Sequence, residues 1–361
     1  MNPGSSPDHA ARRDRVRDRL EVDDLDAFYV GHPVDVRWLT GFTGSNGQVL
    51  VTRDGADCLV TDGRYREQAA GEVGDLAVRV DRDPAGVLHD DLAGSRRVGV
   101  QAEHLSWAAV TDLRSSWADV DLVATTGIVA QARQIKDAHE IGLLTEACRI
   151  TDEAWSWLVT TIRPGVTERA VAVGLERMLV DLGAEAAAFP TILAAGPNSS
   201  RPHHQPTGRP VGVGEVVKVD FGARVGGYHA DMTRMLALRR APERLVELHA
   251  HVAVAQQLGV AAATAGATTG AVDAACRDHL AEVGLGDLFV HGTGHGVGLE
   301  IHELPAVAKG ATATLAPGMT ITVEPGAYEP GVGGVRIEDT IVVTASGPQR
   351  LTRSARDLVV V

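Results

Sequence analysis

Val216-Val217-Lys218-Val219-Asp220-Phe221-Gly222-Ala223-Arg224-Val225-Gly226-Gly227-Tyr228-His229-Ala230-Asp231 reads as two strand-like runs around a glycine turn. With Val225 and Gly226 as the central turn residues, Asp220 and Asp231 fall opposite each other on one face, their Cβ atoms about 4.5–5.5 Å apart. Like charges so placed destabilise a ladder unless something positive lies between them. A divalent cation would reverse that penalty.

A second pair follows. Ile321-Thr322-Val323-Glu324 and Val335-Arg336-Ile337-Glu338 flank a loop over 325–334. Pairing centred on Gly331 sets Glu324 and Glu338 face to face. One acidic pair on a solvated sheet face needs no metal. Two pairs, each closing an apolar run, point to buried acids. Bare buried carboxylates are costly, so they need cations or hydrogen-bond donors.

Between the hairpins stands His291-Gly292-Thr293-Gly294-His295-Gly296-Val297-Gly298-Leu299-Glu300-Ile301-His302-Glu303. The alternating glycines allow close backbone approach. They lack the strand, helix and downstream acid of a dinucleotide-binding fingerprint. Four glycines also make a helix improbable, so His291 and His295 are not a helical zinc pair. One histidine joined to four acids makes an oxygen-rich site that suits Mn²⁺, Co²⁺ or Fe²⁺ at least as well as Zn²⁺. Four carboxylates exceed what one catalytic zinc uses and match two cations about 3.5–4 Å apart. A further pair, His203-His204, lies in a polar loop before the first hairpin. Beside a metal site, such a histidine can donate to a developing oxyanion.

Outward from these strings, short apolar runs at 27–30, 48–52, 58–61, 76–80, 98–101 and 121–124 alternate with helical stretches at 11–21, 64–73, 85–92 and 105–117. That alternation predicts an α/β domain. The pattern changes near residue 130. A long amphipathic helix is expected over 134–160, a second over 165–182 with Thr167 as N-cap, and two more over 242–265 and 269–283. Strands and glycine turns fill the rest, an α+β pattern. The expected organisation is a disordered leader over 1–10, an α/β domain over 11–130 and an α+β domain over 131–361.

The chain has 361 residues with 34 Lys+Arg against 47 Asp+Glu, a formal charge of −13. That balance argues against sequence-independent nucleic-acid binding, which needs cations to displace phosphate counterions. No run of 18 apolar residues predicts a membrane span. Cys58, Cys148 and Cys276 lack any close spacing and read as reduced core residues. With a polar start that has no apolar signal core, they point to the cytoplasm.

The order Asp220, Asp231, His295, Glu324, Glu338 resembles the pita-bread metallopeptidases (family M24), which include aminopeptidase P, prolidase and methionine aminopeptidase. The strings VDFG, GYHADMTR, HGTGHGVGLEIHE, VEPGAY and GGVRIEDT carry the likeness. VRWLTGFTGSNG (36–47) and TDGRY (61–65) extend it to the creatinase-type N-terminal domain of the proline-specific members. That domain would limit access to the site or join subunits.

The resemblance implies that Asp220 binds one of two metals bidentately and that Asp231 and Glu338 bridge both. His295 and Glu324 complete the set. His203 and His302 contact substrate, His291 lines the pocket, and Arg336 stands beside the bridging acid, placed also to ion-pair with a nearby carboxylate. His204, His229 and Tyr328 receive no role. The implied reaction hydrolyses the bond between an N-terminal residue and proline in a proline-containing peptide. On the same resemblance, two bound metals would supply the hydroxide nucleophile and Glu324 would move the proton. The implied metal is Mn²⁺ and the implied assembly a homodimer. Prolidases of this family often carry an arginine soon after the second motif histidine. Here His302 leads into Glu303-Leu304-Pro305-Ala306, with only Lys309 nearby. That favours an Xaa-Pro aminopeptidase over an Xaa-Pro dipeptidase. Metal-free relatives of the fold are a remote alternative, since all five ligand positions are filled.

Overall fold

The computed structural model describes residues 6–92, 94 and 96–361. It divides into two compact units, Ser6–Arg133 and Gln134–Val361.

In the first unit, apolar strands stack into one six-stranded sheet. Its order is Ala77–Val80, Cys58–Thr61, Gly47–Thr52, Ala27–Val30, Arg97–Gln101, Asp121–Thr125. The central strands Ala27–Val30 and Gly47–Thr52 pair antiparallel, and parallel partners follow outward on one side. Leu50, Val60, Val98 and Trp117 lie in the core beneath. The first helix, His9–Val22, starts where the Asp8 carboxylate accepts the Ala11 amide at 2.9 Å. This N-cap satisfies an orphan donor. His9 and Ala10, expected in the disordered leader, therefore belong to that helix, while positions 1–5 of the leader lie outside the described residues. The helix Pro33–Thr40 has no counterpart in the sequence reading. Pro33 starts it, and Gly41 ends it at φ +80°.

The second unit opens with the helix Ala138–Thr161, set by a capping box. The Asp137 carboxylate takes the Glu140 amide, and the Glu140 carboxylate takes the Asp137 amide, both at 2.9 Å. Its buried residues Ile150, Ala154 and Leu158 share a core with Leu175 of the helix Glu168–Asp181 and with Val217, Val219 and Phe221. Each buried side chain of this size contributes about 1.5–3 kcal/mol. A second core joins the helices Glu243–Ala262 and Thr269–Glu282 to Ile321, Val323 and Ile341. Two sheets carry the functional strands. One runs Val359–Val360, Met232–Ala237, Val216–Phe221, Ile192–Ala195. The other runs Glu303–Val307, Gly294–Gly296, Thr320–Val323, Asp339–Thr344, Gly347–Arg350. Among the described residues, no helix is long and apolar enough to cross a membrane.

The first hairpin differs from its sequence reading by one turn position. Gly226 and Gly227 are the central residues, at φ +55° and +80°. Tight hairpin turns of this kind need positive φ at both positions, which Val225 resists. Val225 therefore pairs with Tyr228, and Asp220 pairs with Thr233, not Asp231. Moving the turn by one residue moves each partner by two, so the face is kept. Asp231 becomes the diagonal neighbour of Asp220 on the same side.

In the second hairpin, Val323 pairs with Asp339 and Gly326 with Arg336. One register thus spans both ladders, and Glu324 faces Glu338 where the ladder opens. Their amides bond elsewhere, Glu324 to Thr293 O at 2.8 Å and Glu338 to Thr233 O at 3.2 Å.

Candidate metal centre

Asp220, Asp231, His295, Glu324 and Glu338 sit at or beside strand ends and line one cavity of about 200 Å³. Phe189, Ile192, Ile301, His203, His302 and Arg336 complete its wall. Ligand atoms of Asp231, His295 and Glu338 lie within 4.8 Å of one another. His295 Nε2 is 3.5 Å from Asp231 Oδ2 and 3.3 Å from Glu324 Oε1. The flanking glycines make room for it. A Cβ at Gly294 would meet Thr322 O at 2.1 Å, and one at Gly296 would meet Leu304 O at the same distance.

Arg336 is 2% exposed. It donates to Asp220, to Thr233 Oγ1 at 2.9 Å, to the Tyr328 hydroxyl at 3.0 Å and to Pro202 O at 3.3 Å. Thr233 Oγ1 in turn donates a hydrogen bond to Glu338 Oε2 at 2.7 Å. Glu338 is steadied from behind by Arg234, which bonds its carbonyl and forms a fully buried ion pair with Asp339 at 2.7 Å.

The charges do not balance. Burial, then the Glu338 and Asp220 charges, raises Asp231 well above the usual carboxylate range. Burial, then Glu324 and Asp220, raises Glu338 likewise. Burial also raises Asp220, against the pull of Arg336. Glu324 is the exception. Burial opposes its charge, but His295 and Arg336 hold it down to about 2. Burial would lower His295, and the Glu324 carboxylate outweighs it. Two carboxylate oxygens, Asp220 Oδ1 and Glu338 Oε1, are buried with no hydrogen-bond partner among the described residues. Unpaired buried oxygens beside repelling acids are what a bound cation would satisfy. The donor set, one imidazole and four carboxylates, fits hard or borderline divalent ions.

His302 packs edge-on against His295, ring centroids 4.4 Å apart. Burial, then the His295 charge, holds it below the usual imidazole range. His203 is exposed at the cavity wall. His291 does not line the cavity. Its Nε2 meets the Tyr328 hydroxyl at 2.9 Å, that hydroxyl accepts from Arg336, and the imidazole feels the Glu324 charge directly. His204 is buried and turned to Glu168, Nε2 to Oε2 3.0 Å. His229 Nδ1 meets Gly298 O at 3.0 Å.

Glu168 and Lys218 carry no sequence signature of a site role. Glu168, at the first helical position after Thr167, is fully buried and accepts from Ala195 N, Asn198 Nδ2, His204 Nε2 and Thr207. Lys218, fully buried in an apolar strand, donates to three carbonyls. A lysine inside a run of valines was the available signal of burial. Burial, then Arg336, lowers its amine from the usual range, and against that pull three accepting carbonyls, and the Tyr328 face at 4.8 Å, hold the ammonium.

Glu168 carries a pH prediction. Burial raises its pKa, but the hydrogen bonds from Asn198, Thr207 and Ala195 bring it down to about 2. The unfolded value is about 4.3. A folded pKa below the unfolded one gives stability present above about pH 4 and lost as pH falls through about 2. Glu168→Gln should therefore flatten the acid limb of unfolding between about pH 4 and pH 2. An unchanged limb would contradict this.

A two-domain chain whose second domain gathers four acids and one histidine into a single cavity has the donor set of a metal-binding enzyme site. Residues 142–345 match metallopeptidase family M24 and residues 12–135 match the creatinase/prolidase N-terminal domain. The chain belongs to family M24, with the creatinase-type α/β domain ahead of a pita-bread catalytic domain, and is a metallopeptidase. It is 38% identical to the uncharacterized peptidase YqhT of Bacillus subtilis, over 93% of this chain and 96% of that one. Its structure matches an Xaa-Pro dipeptidase from Bacillus anthracis with TM-score 0.95 at 34% identity, covering 98% of this chain and 100% of the other. An X-Pro aminopeptidase from Thermotoga maritima matches with TM-score 0.89 at 33% identity, covering 95% and 100%.

Proposed function

We propose that this metallopeptidase hydrolyses Xaa-Pro dipeptides, with two divalent ions held by Asp220, Asp231, His295, Glu324 and Glu338. The observation that carries it is the convergence of these five side chains, two with orphaned oxygens, on one cavity of about 200 Å³. Relatives named dipeptidase or prolidase outnumber those named aminopeptidase, which supports the dipeptidase reading over the aminopeptidase expected from the sequence. The oxygen-rich donor set favours Mn²⁺, and Co²⁺, Zn²⁺ and Fe²⁺ share the affinity for such a site. A homodimer in the cytoplasm completes the proposal.

When bound, the ions acidify a water and polarise the scissile carbonyl. The chain's own residues do the rest. Glu324, kept ionised beside His295, takes the proton of the attacking water and delivers it to the prolyl nitrogen as the bond breaks. His203 and His302 donate to the carbonyl oxygen as it gains charge. Phe189, Ile192 and Ile301 give the pyrrolidine ring an apolar wall. Proline's nitrogen carries no N–H in this bond, so recognition rests on shape.

One observation favours the aminopeptidase reading. Arg336 is the single Lys or Arg among the lining residues, and it is committed to Asp220, Thr233 and Tyr328. The histidines are left to meet a dipeptide's carboxylate. Rates on Xaa-Pro and Xaa-Pro-Yaa, measured side by side with Mn²⁺, separate the two. A contact to the free carboxylate is worth about 1.5–3 kcal/mol, so dipeptides should lead in kcat/KM by about tenfold or more. Faster cleavage of the longer peptides would overturn the dipeptidase reading.

A further inference from the structure

His203 makes no hydrogen bond of its own among the described residues, yet its neighbours on both sides are tied down. Before it, Pro202 O receives Lys218 Nζ at 3.1 Å and Arg336 at 3.3 Å. After it, His204 Nε2 meets Glu168 Oε2 at 3.0 Å. The ties continue outward. Lys218 Nζ also donates to Arg201 O at 2.6 Å and Ser199 O at 3.2 Å, so three carbonyls match its three protons. Glu168 Oε1 accepts from Ala195 N and Asn198 Nδ2, both at 2.9 Å. Its Oε2 also accepts from Thr207 N at 3.0 Å and Thr207 Oγ1 at 2.7 Å.

We propose that Glu168 and Lys218 are positioning residues, a carboxylate and an ammonium that grip the loop over 195–207 from two sides and present His203 to the cavity. The division of labour follows from chemistry. A carboxylate only accepts, so Glu168 collects amide and side-chain donors at the ends of the loop and at His204. An ammonium only donates, so Lys218 collects the carbonyls before the histidine. Both charges are fully buried, where apolar side chains would fill the same space at lower desolvation cost. What two buried charges add is a single loop geometry, since each fixes several polar atoms at once. Lys218 stands two residues from Asp220 on one strand, so the same strand sets a metal ligand and the His203 loop. The inference rests on the reading that His203 stabilises charge on the substrate.

The test uses the metal-loaded enzyme and a double-mutant cycle of Lys218→Met with His203→Ala, with Glu168→Gln as the second clamp variant. Lys218→Met should keep its bound metal, speed exchange of the 195–207 amides, and lower kcat by about 10–100-fold with KM little changed. In the His203→Ala background that loss should vanish, because a clamp that acts through His203 has nothing left to position. Should Lys218→Met fail to fold, Glu168→Gln carries the same cycle. The same loss with and without His203, or unchanged loop exchange, would overturn the proposal. Full turnover in His203→Ala alone would overturn it too, while the comparison of dipeptides with longer peptides would still stand as the test of the Xaa-Pro reading.

Discussion

Asp231→Asn and Glu338→Gln should each remove turnover on Xaa-Pro substrates and most of the bound metal. Both carboxylates are buried, both face other acids, and Glu338 has an oxygen with no partner. Each variant keeps the shape and removes a charge. Removing one member of a buried charged set costs about 3–5 kcal/mol. That weakens metal binding by about 10²–10⁴-fold. The same substitutions relieve repulsion between acids, so the metal-free variants should unfold at or above the temperature of the metal-free parent. Metal content by elemental analysis, turnover and melting of the metal-free forms check the three parts. A variant with full metal and full turnover would contradict the ligand assignment.

Arg336→Met should behave in the opposite sense. Arg336 is the buried cation that holds Asp220 and lies 3.7 Å from Glu324. Without it, the four acids of the metal-free site lose the one guanidinium that lines the cavity with them. The expected cost to the metal-free protein is about 3–5 kcal/mol. For a unit of this size, that lowers Tm by about 6–20 °C. A bound divalent ion supplies positive charge at the same acids, so saturating Mn²⁺ should recover much of the loss through binding linkage. Thermal melts with chelator and with Mn²⁺ measure both numbers. Equal losses in the two conditions would show that Arg336 acts through packing alone.

Much of the site was readable because each acid ends an apolar run beside a glycine-rich string, which marks it as buried yet polar. The partners that position those acids were less so. The sequence pattern sets Asp220 and Asp231 on the right face but misses their register by one turn position, because the turn needs positive φ at two adjacent positions that Gly226 and Gly227, not Val225, supply. Glu168 gathers its donors from residues as far on as Thr207, a separation no local pattern encodes. His291 and His204 look alike in sequence to His203 and His302. Only tertiary packing turns one toward Tyr328 and the other toward Glu168. The helix Pro33–Thr40 is hard to read from sequence because VDVRWLT is rich in residues that suit strands as well. Its Pro start and Gly stop were the available signals.

The measurement that bears most directly on the account is a titration of metal-free protein with Mn²⁺, following bound ions and Xaa-Pro hydrolysis together. Two divalent ions should bind per chain, with no turnover before metal is added and full turnover once the site is filled. Undiminished hydrolysis by the metal-free protein, or a filled site that cleaves no Xaa-Pro bond, would contradict it.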